Sequence, residues 1–132
     1  MTQSLTFKKA ERLCDRRIIG LLYTDRENNV LFKKYPLIII LREEQLPESI
    51  PAQVLISVPR KKIRKAHDRI KLKRRLMELY RTSKHELYEL MPNKQYALAL
   101  AYTSSQKLPY SKLQESFATL KEELKLYLMN HQ

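Results

Sequence analysis

The sequence predicts an α/β (α+β) sandwich, in which a four-stranded sheet carries helices packed mainly on one side. Four segments of strand length are rich in aliphatic or β-branched residues, and three longer segments repeat apolar residues at helical spacing. These segments follow the order helix, strand, strand, strand, helix, strand, helix. A chain of 132 residues is long enough for one domain, spanning residues 1–132, with a core that needs no disulfide.

The first helix is predicted over residues 16–23, where Asp15 stands directly before an apolar segment and can cap its first turn. Residues 25–29 are polar and predict a loop. The helix therefore precedes all the strands and is joined to the first of them by a short connection.

The four strands are predicted at residues 30–32, 37–41, 52–58 and 96–102. The second has no polar residue, which is typical of a strand buried on both faces. The third alternates between its two faces. The fourth carries alanine at every second position, so a helix can approach that face of the sheet closely.

The second helix is predicted from about Ala66, because good helix formers follow it without Gly or Pro. Leu72, Leu76 and Leu79 recur at the spacing of a core-facing seam. Residues 83–91 are predicted to form a separate short helix.

The last helix is predicted to begin at a capping box made by Ser111 and Gln114. Leucine and phenylalanine then recur at helical spacing as far as Leu128. The amphipathic pattern predicts that this helix packs one face on the sheet.

The positive charge of the chain is concentrated in residues 60–81. This stretch holds 11 basic and two acidic residues, and so carries +9 of the net charge of +12. The leucine seam leaves the bases on the opposite side and on one shoulder of the helix, together with Ile70, Met77 and Tyr80. Like charges repel one another, so nucleic acid is favoured as a partner over an ordinary solvated face.

Other features of the sequence narrow the class of protein. Cys14 is the only cysteine, which suits a reducing cytoplasm. No apolar run approaches the roughly 20 residues of a membrane helix, so we expect a cytoplasmic protein without a membrane partner. The histidines lack ligands at metal-binding spacing, and no nucleophile–base pair or carboxylate cluster is evident. We therefore expect neither a catalytic residue nor a metal site in the chain itself.

The basic stretch and the strand before it resemble the signature of the protein subunit of bacterial ribonuclease P. The strand ends in Ser57-Val58 and is followed by a Lys-rich turn. Positions that match the signature, some by a similar residue, are Arg69, Lys71, Lys73, Arg74, Glu78, Tyr80 and Arg81. The family's Asn and one of its Arg residues are replaced here by Ile70 and Met77.

The resemblance implies that the protein binds the ribonuclease P RNA and the 5′ leader of precursor tRNA. The RNA subunit and its magnesium ions would then perform the endonucleolytic removal of the leader, and no cofactor would sit in the protein. It also implies a left-handed crossover through the basic helix, against the general rule. The expected RNA contacts are Arg60, Lys61, Lys62, Arg69, Lys71, Lys73, Arg74 and Arg81.

A cleft for the single-stranded leader is expected beside the first helix. The family's aromatic cleft positions correspond to Ile19, Leu21 and Tyr23, of which only the last is aromatic. Phe32 and Tyr35 are the candidates to replace the lost rings, because a base stacked on a ring is stabilised by about 1–3 kcal/mol. The expected cleft residues are Ile19, Tyr23, Phe32 and Tyr35.

Three other functions remain open from the residues. The first alternative is a ribosomal or assembly RNA-binding protein with a similar α/β fold and no part in tRNA processing. A DNA-binding regulator ranks lower, because no second helix of a helix-turn-helix is evident, and DNA is not expected as a partner. A self-contained metal-dependent nuclease ranks last, for want of ligands.

Overall fold

A computed structural model describes residues 7–132 of the chain. The predicted order of helices and strands is confirmed, with one 3-10 turn, Lys9–Glu11, before it. The elements are α1 (Arg16–Thr24), β1 (Asn29–Lys34), β2 (Leu37–Glu43), β3 (Ala52–Ser57), α2 (Ala66–Tyr88), β4 (Tyr96–Tyr102) and α3 (Tyr110–Asn130). None of these helices is long and apolar enough to cross a membrane.

The four strands form one mixed sheet in the order β1-β2-β4-β3. β1 and β2 make an antiparallel hairpin whose two-residue turn, Tyr35-Pro36, has a cis peptide bond. β2 pairs with β4 antiparallel, and β4 pairs with β3 parallel. The chain passes from β3 to β4 through α2, and the left hand expected for this crossover stays a prediction.

The helices are divided unequally between the two faces of the sheet. α2 and α3 bury their leucines against one face, where Leu76, Leu98 and Leu120 belong to the same core. α1 packs on the other face, where Ile18 and Leu22 meet Ala97 and Ala99. Both the arrangement of helices mainly on one side and the close approach over the alanine face are confirmed.

α1 begins where the sequence predicted. The carboxylate of Asp15 accepts hydrogen bonds from the backbone N–H groups of Arg17, at 2.9 Å, and Ile18, at 3.3 Å. These two donors have no partner inside the helix, so the cap satisfies them. Asp15 thereby fixes the direction in which α1 starts.

The boundaries of the later helices differ from the prediction. α2 continues without a break to Tyr88, so the separate helix expected over residues 83–91 is the end of α2. No Gly or Pro interrupts this stretch, and tertiary packing of Leu87 extends the helix. α3 begins at Tyr110 after Pro109, without the predicted capping box.

β2 is less buried than the absence of polar residues predicted. Leu37, Ile39 and Leu41 are buried, whereas Ile38 and Ile40 are only half-buried. The reason is that α1 has nine residues and a length of only about 14 Å, so it covers part of its face of the sheet. The remainder of that face is open to a ligand.

The segment before α1 lies along the free edge of β3. The N–H of Leu13 donates to the carbonyl of Val54 at 3.0 Å, and the side chain of Gln53 donates to the carbonyl of Ala10 at 2.9 Å. We call residues 7–13 the N-terminal strap. It ties the edge strand to α2 through a buried ion pair described below.

Candidate nucleic-acid interface

The turn before α2 presents three cations to solvent. Arg60, Lys61 and Lys62 are exposed, and the turn lies between the buried residues Val58 and Ile63. The carbonyl of Pro59 accepts the N–H groups of Lys62 at 3.0 Å and Ile63 at 3.1 Å. The turn is therefore fixed by backbone hydrogen bonds and by an apolar anchor, with its charges outside.

Arg69 closes this turn against the first turn of α2. Its Nη1 donates to the carbonyl of Ile63 at 3.0 Å and to that of Arg64 at 2.6 Å. Both hydrogens of Nη1 are thus used within the chain, and Nε and Nη2 keep three donors. The predicted RNA contact Arg69 therefore has a structural task that the sequence pattern did not show.

The outer side of α2 is a cationic ridge, as predicted. Lys71, Lys73 and Arg74 are exposed, while Leu72, Leu76 and Leu79 are buried beneath them. In the described part of the chain, none of these three cations pairs with a carboxylate. Their charges are therefore available to an anionic partner.

Arg81, at the far end of the predicted ridge, is neutralised within the chain. Its guanidinium pairs with Glu78 through Nη2 at 2.6 Å and Nε at 3.1 Å. The hydrogen bond from Arg81 holds the pKa of the Glu78 carboxyl below its usual value. Arg81 thus contributes less free charge than its place in the sequence predicts.

Tyr80 does not lie on the shoulder of the ridge, and that prediction was wrong. It is only 2% exposed, and its ring meets Phe7 of the N-terminal strap edge to face at 5.9 Å. Burial raises the pKa of its hydroxyl, which lies 2.9 Å from the hydroxyl of Tyr88. The strap covers a part of α2 that the leucine spacing alone left exposed.

The two replaced family positions, Ile70 and Met77, have different surroundings. Ile70 is half exposed on the ridge. Met77 lines a cavity of about 230 Å³ together with Lys73 and with Phe7 and Leu13 of the strap. Packing of both side chains on residues 1–7 is a further hypothesis from the sequence; of these residues only Phe7 is described, and it lies beside Met77.

A groove runs beside α1 on the open part of the sheet. It has a volume of about 420 Å³ and contains Tyr23, whose side chain is 51% exposed. Arg26 contributes a cation from the loop, and Leu31 and Lys33 contribute from β1. Ile19 belongs to α1 itself, and its half-buried side chain packs against the alanine face of β4.

The position of α1 beside this groove is fixed by polar contacts with the sheet. Nη1 of Arg42 on β2 donates to Asp25 at 2.8 Å, just after the helix ends. The side-chain amide of Asn29 donates to the carbonyls of Leu21 at 2.8 Å and Leu22 at 3.1 Å. These bonds satisfy the last carbonyls of α1 and hold Tyr23 over the sheet.

The structure does not bring all four predicted cleft residues together. Phe32 points to the opposite face of the sheet, where its ring meets Tyr127 of α3 at 6.0 Å. Its neighbours in β1, Leu31 and Lys33, face the groove instead. Tyr35 lies at the tip of the hairpin, with its hydroxyl 2.7 Å from the hydroxyl of Ser104.

The strap is clamped to α2 by a buried ion pair. Nζ of Lys84 lies 2.7 and 3.0 Å from the two carboxylate oxygens of Glu11, and the hydroxyl of Tyr88 donates to the same carboxylate at 2.9 Å. Burial tends to raise the pKa of Glu11, but the hydrogen bonds from Lys84 and Tyr88 outweigh it and leave this pKa lowered. Sequence spacing did not reveal this pair, because its members are 73 positions apart.

Among residues 7–132, no group of three or more His, Cys, Asp or Glu side chains comes together in a way that could hold a metal ion. Cys14 is exposed and has a free thiol. The chemistry offered by the described surface is therefore that of cations and of one apolar, aromatic groove.

A mixed sheet, an exposed cationic helix and a groove with an exposed ring define a basic α+β protein of the RNA-binding class. The family model described as Ribonuclease P matches residues 7–125. The chain therefore belongs to the ribonuclease P protein family, whose members are protein components of a ribonucleoprotein and partner with the ribonuclease P RNA.

Individual relatives agree with this membership. The chain is similar to a ribonuclease P protein component from Porphyromonas gingivalis, with 31% identity over 112 residues, 83% of this chain and 80% of the relative. The RNase P protein of Staphylococcus aureus shares the fold with a TM-score of 0.70 and 17% identity, covering 90% of this chain and 99% of that one. The protein from Thermotoga maritima has a TM-score of 0.63 and 22% identity, covering 85% and 96%.

Proposed function

We propose that the chain binds the ribonuclease P RNA and the 5′ leader of precursor tRNA, and so assists removal of the leader to give the mature tRNA 5′ end. The observation that carries the proposal is the set of exposed cations on the turn and on α2. In the described part of the chain, no carboxylate pairs with them. They are Arg60, Lys61, Lys62, Lys71, Lys73 and Arg74.

The groove beside α1 would hold the single-stranded leader. Tyr23 offers a ring on which a base can stack, Leu31 and Ile40 line the groove, and Arg26 and Lys33 can neutralise backbone phosphates. Recognition of this kind tolerates many leader sequences, because stacking and phosphate contacts do not read base edges.

Cleavage in this proposal belongs to the RNA subunit and its magnesium ions. The protein's part is to raise the affinity for substrate and to lower the magnesium concentration that the assembled enzyme needs, because its cations neutralise phosphates that metal ions would otherwise screen. Such an enzyme would act in the cytoplasm, where precursor tRNA is made.

Reconstitution with a bacterial ribonuclease P RNA tests the proposal. At low magnesium, adding the protein should stimulate removal of the leader from precursor tRNA. A Lys73→Ala/Arg74→Ala double variant should stimulate less while keeping its thermal stability, since both side chains are exposed. Absence of stimulation by the wild-type chain, with RNA binding retained, would favour a ribosomal or assembly RNA-binding protein instead.

A further inference from the structure

The two ends of the sheet carry opposite charge. Strand pairing aligns Lys34 with Leu37, Leu37 with Tyr102, and Ser57 with Ala101, so the segments beyond these positions lie at one end. We define the basic end as residues 34–36, 57–68 and 103–109. Its residues include seven Lys or Arg and one acid, Asp68.

The opposite end has the reverse balance. Pairing of Asn29 with Arg42, and of Tyr96 with both Glu43 and Ala52, places residues 25–29, 42–51 and 89–95 together. These segments contain six Asp or Glu and three Lys or Arg. A polyanion is therefore attracted to one end of the sheet and repelled from the other.

The segments of the basic end are tied to one another. The carbonyl of Pro36, at the hairpin tip, accepts the N–H of Thr103 at 2.8 Å and its hydroxyl at 3.0 Å. The hydroxyl of Ser116 donates to the carbonyl of Tyr35 at 2.7 Å. The hairpin tip is therefore held against the connection between β4 and α3.

Two further contacts continue this surface to the basic turn. Nζ of Lys107 lies 3.5 Å from the carboxylate of Asp68, at the start of α2. Arg69 then joins α2 to the carbonyls of Ile63 and Arg64. Because these contacts exist without a ligand, little ordering would be needed on binding.

Tyr35 adds an aromatic surface to this end. Its side chain is 57% exposed, although its hydroxyl is held at 2.7 Å from Ser104. An exposed ring fixed at one end is suited to stacking on an unpaired base beside a phosphate backbone. Lys34 and Lys107 are exposed on the segments beside it.

We propose that Lys34, Tyr35 and Lys107 extend the basic turn into a second RNA-binding surface, separate from the groove beside α1. Its occupant is the phosphate backbone of the folded ribonuclease P RNA rather than the leader. This inference rests on the proposed function for the identity of the RNA. It transfers Tyr35 from the expected leader cleft to the contact with the catalytic RNA.

A charge-neutralising pair of variants tests the proposal. Lys34→Gln/Lys107→Gln removes two cations from the basic end. Lys94→Gln/Lys125→Gln removes two cations elsewhere and serves as the control, because it changes the net charge equally. Thermal unfolding of each full chain checks that the fold is kept, as expected because the ion pairs of Lys94, Lys107 and Lys125 lie at the surface and are of small energy.

Affinity for a bacterial ribonuclease P RNA, without tRNA, is measured at several salt concentrations. The basic-end pair should bind several-fold more weakly, and its slope of log K against log salt should be shallower by about 0.7–0.9 for Lys34, with a smaller contribution from Lys107 because it lies 3.5 Å from Asp68. The control pair should behave as wild type. With the assembled enzyme, the preference for leader-bearing over leaderless tRNA should be unchanged in both pairs.

Three outcomes overturn the second surface. They are wild-type RNA affinity of the basic-end pair, an equal loss in the control pair, and loss of the leader preference in place of RNA affinity. Each of these can occur while the wild-type chain still binds the RNA and stimulates cleavage. Failure of the wild-type chain to bind the ribonuclease P RNA would instead overturn the proposed function and this inference together.

Discussion

Arg69 combines a structural role in the basic turn with an expected role in RNA binding. It matches the family signature, yet its Nη1 is bound to two carbonyl oxygens of the chain itself. A hydrogen bond from a charged donor contributes about 1.5–3 kcal/mol in favourable surroundings, and less where solvent competes. Arg69 therefore orders the basic turn whether or not it also touches RNA.

Replacing Arg69 should loosen this turn. We expect Arg69→Ala to lower the free energy of unfolding by about 1–2 kcal/mol, because two carbonyls lose a charged donor. Hydrogen exchange of the Lys62 and Ile63 amides, which bind the carbonyl of Pro59, should become faster. Lys73→Ala is the control and should change neither quantity; equal amide protection in Arg69→Ala would contradict the positioning role.

The buried pair of Glu11 and Lys84 should be costly to break. The two side chains are 6% and 2% exposed, so Lys84→Met would leave a buried carboxylate without its main partner. We expect a loss of about 3–5 kcal/mol in the free energy of unfolding, measured by urea denaturation. The double variant Glu11→Leu/Lys84→Met should recover much of this loss, because no buried charge is then left unpaired.

The same pair should make stability depend on acid pH. The pKa of Glu11 is lowered in the folded chain from its ordinary value of 4.5, so its contribution is fully present above that value. It is lost as the pH falls through the lower folded-state pKa, where protonation breaks the ion pair. Glu11→Leu/Lys84→Met should therefore lose less stability than wild type between neutral and strongly acidic pH.

At the scale of elements, β1 decides which side chains face the groove that we propose for the leader. Alternation predicts that neighbouring residues of a strand face opposite ways, but it does not say which face meets α3. α3 packs over Phe32 on one face of the sheet, whereas Leu31 and Lys33 face the groove beside α1 on the other face. Only the tertiary structure could place these residues, although the strand itself was predicted.

Substitutions on the two faces of this sheet should separate these roles. Tyr23→Ala should weaken binding of leader-bearing precursor tRNA by the assembled enzyme by about 1–3 kcal/mol, through loss of stacking. Affinity for leaderless tRNA should stay as in wild type. Phe32→Ala should instead lower the thermal stability of the protein, since its ring packs on Tyr127; a selective loss of leader binding in this variant would contradict the assignment of faces.

Local signals predicted some elements well because their causes are local. The Asp15 cap, the leucine seam of α2 and the alanine face of β4 each depend on a few neighbouring residues. The N-terminal strap could not be predicted in this way, because it is held by Val54 and Lys84, far along the chain. For the same reason the sequence placed Tyr80 on the outside, where the strap in fact covers it.

At the scale of the whole molecule, the cations of the basic turn and of the ridge on α2 form one continuous region in which most of them have no carboxylate partner in the described chain. Six cations of the turn and ridge are exposed, while Arg81 is paired with Glu78 and Arg69 is bound to carbonyls. Charge in the sequence therefore overstated the number of cations that have no partner within the described chain, and the RNA interface itself stays a prediction.

The salt dependence of RNA binding should report this number. The six contacts of the turn and ridge predict a slope of log K against log salt of about −4 to −5, at 0.7 to 0.9 for each contact, and the proposed contact of Lys34 should make it steeper by one such step. Titration of the full chain into a bacterial ribonuclease P RNA at several salt concentrations measures the slope. Arg81→Gln should leave it nearly unchanged, whereas Lys73→Gln should make it shallower; a larger effect of Arg81→Gln would show that its pairing with Glu78 opens on binding.

The two edge strands of the sheet, β1 and β3, are both protected from pairing with a strand of another molecule, and by different means. Along β3 the strap already occupies backbone groups of the margin, while β1 ends in two lysines, Lys33 and Lys34, which resist pairing with another strand. A protein that must remain dispersed until it meets its RNA gains from this arrangement, since bare strand margins promote aggregation. We therefore expect the ion pair of Glu11 and Lys84 to keep the margin of β3 occupied as well as to stabilise the fold, because a loosened strap would offer neighbouring molecules a strand to join.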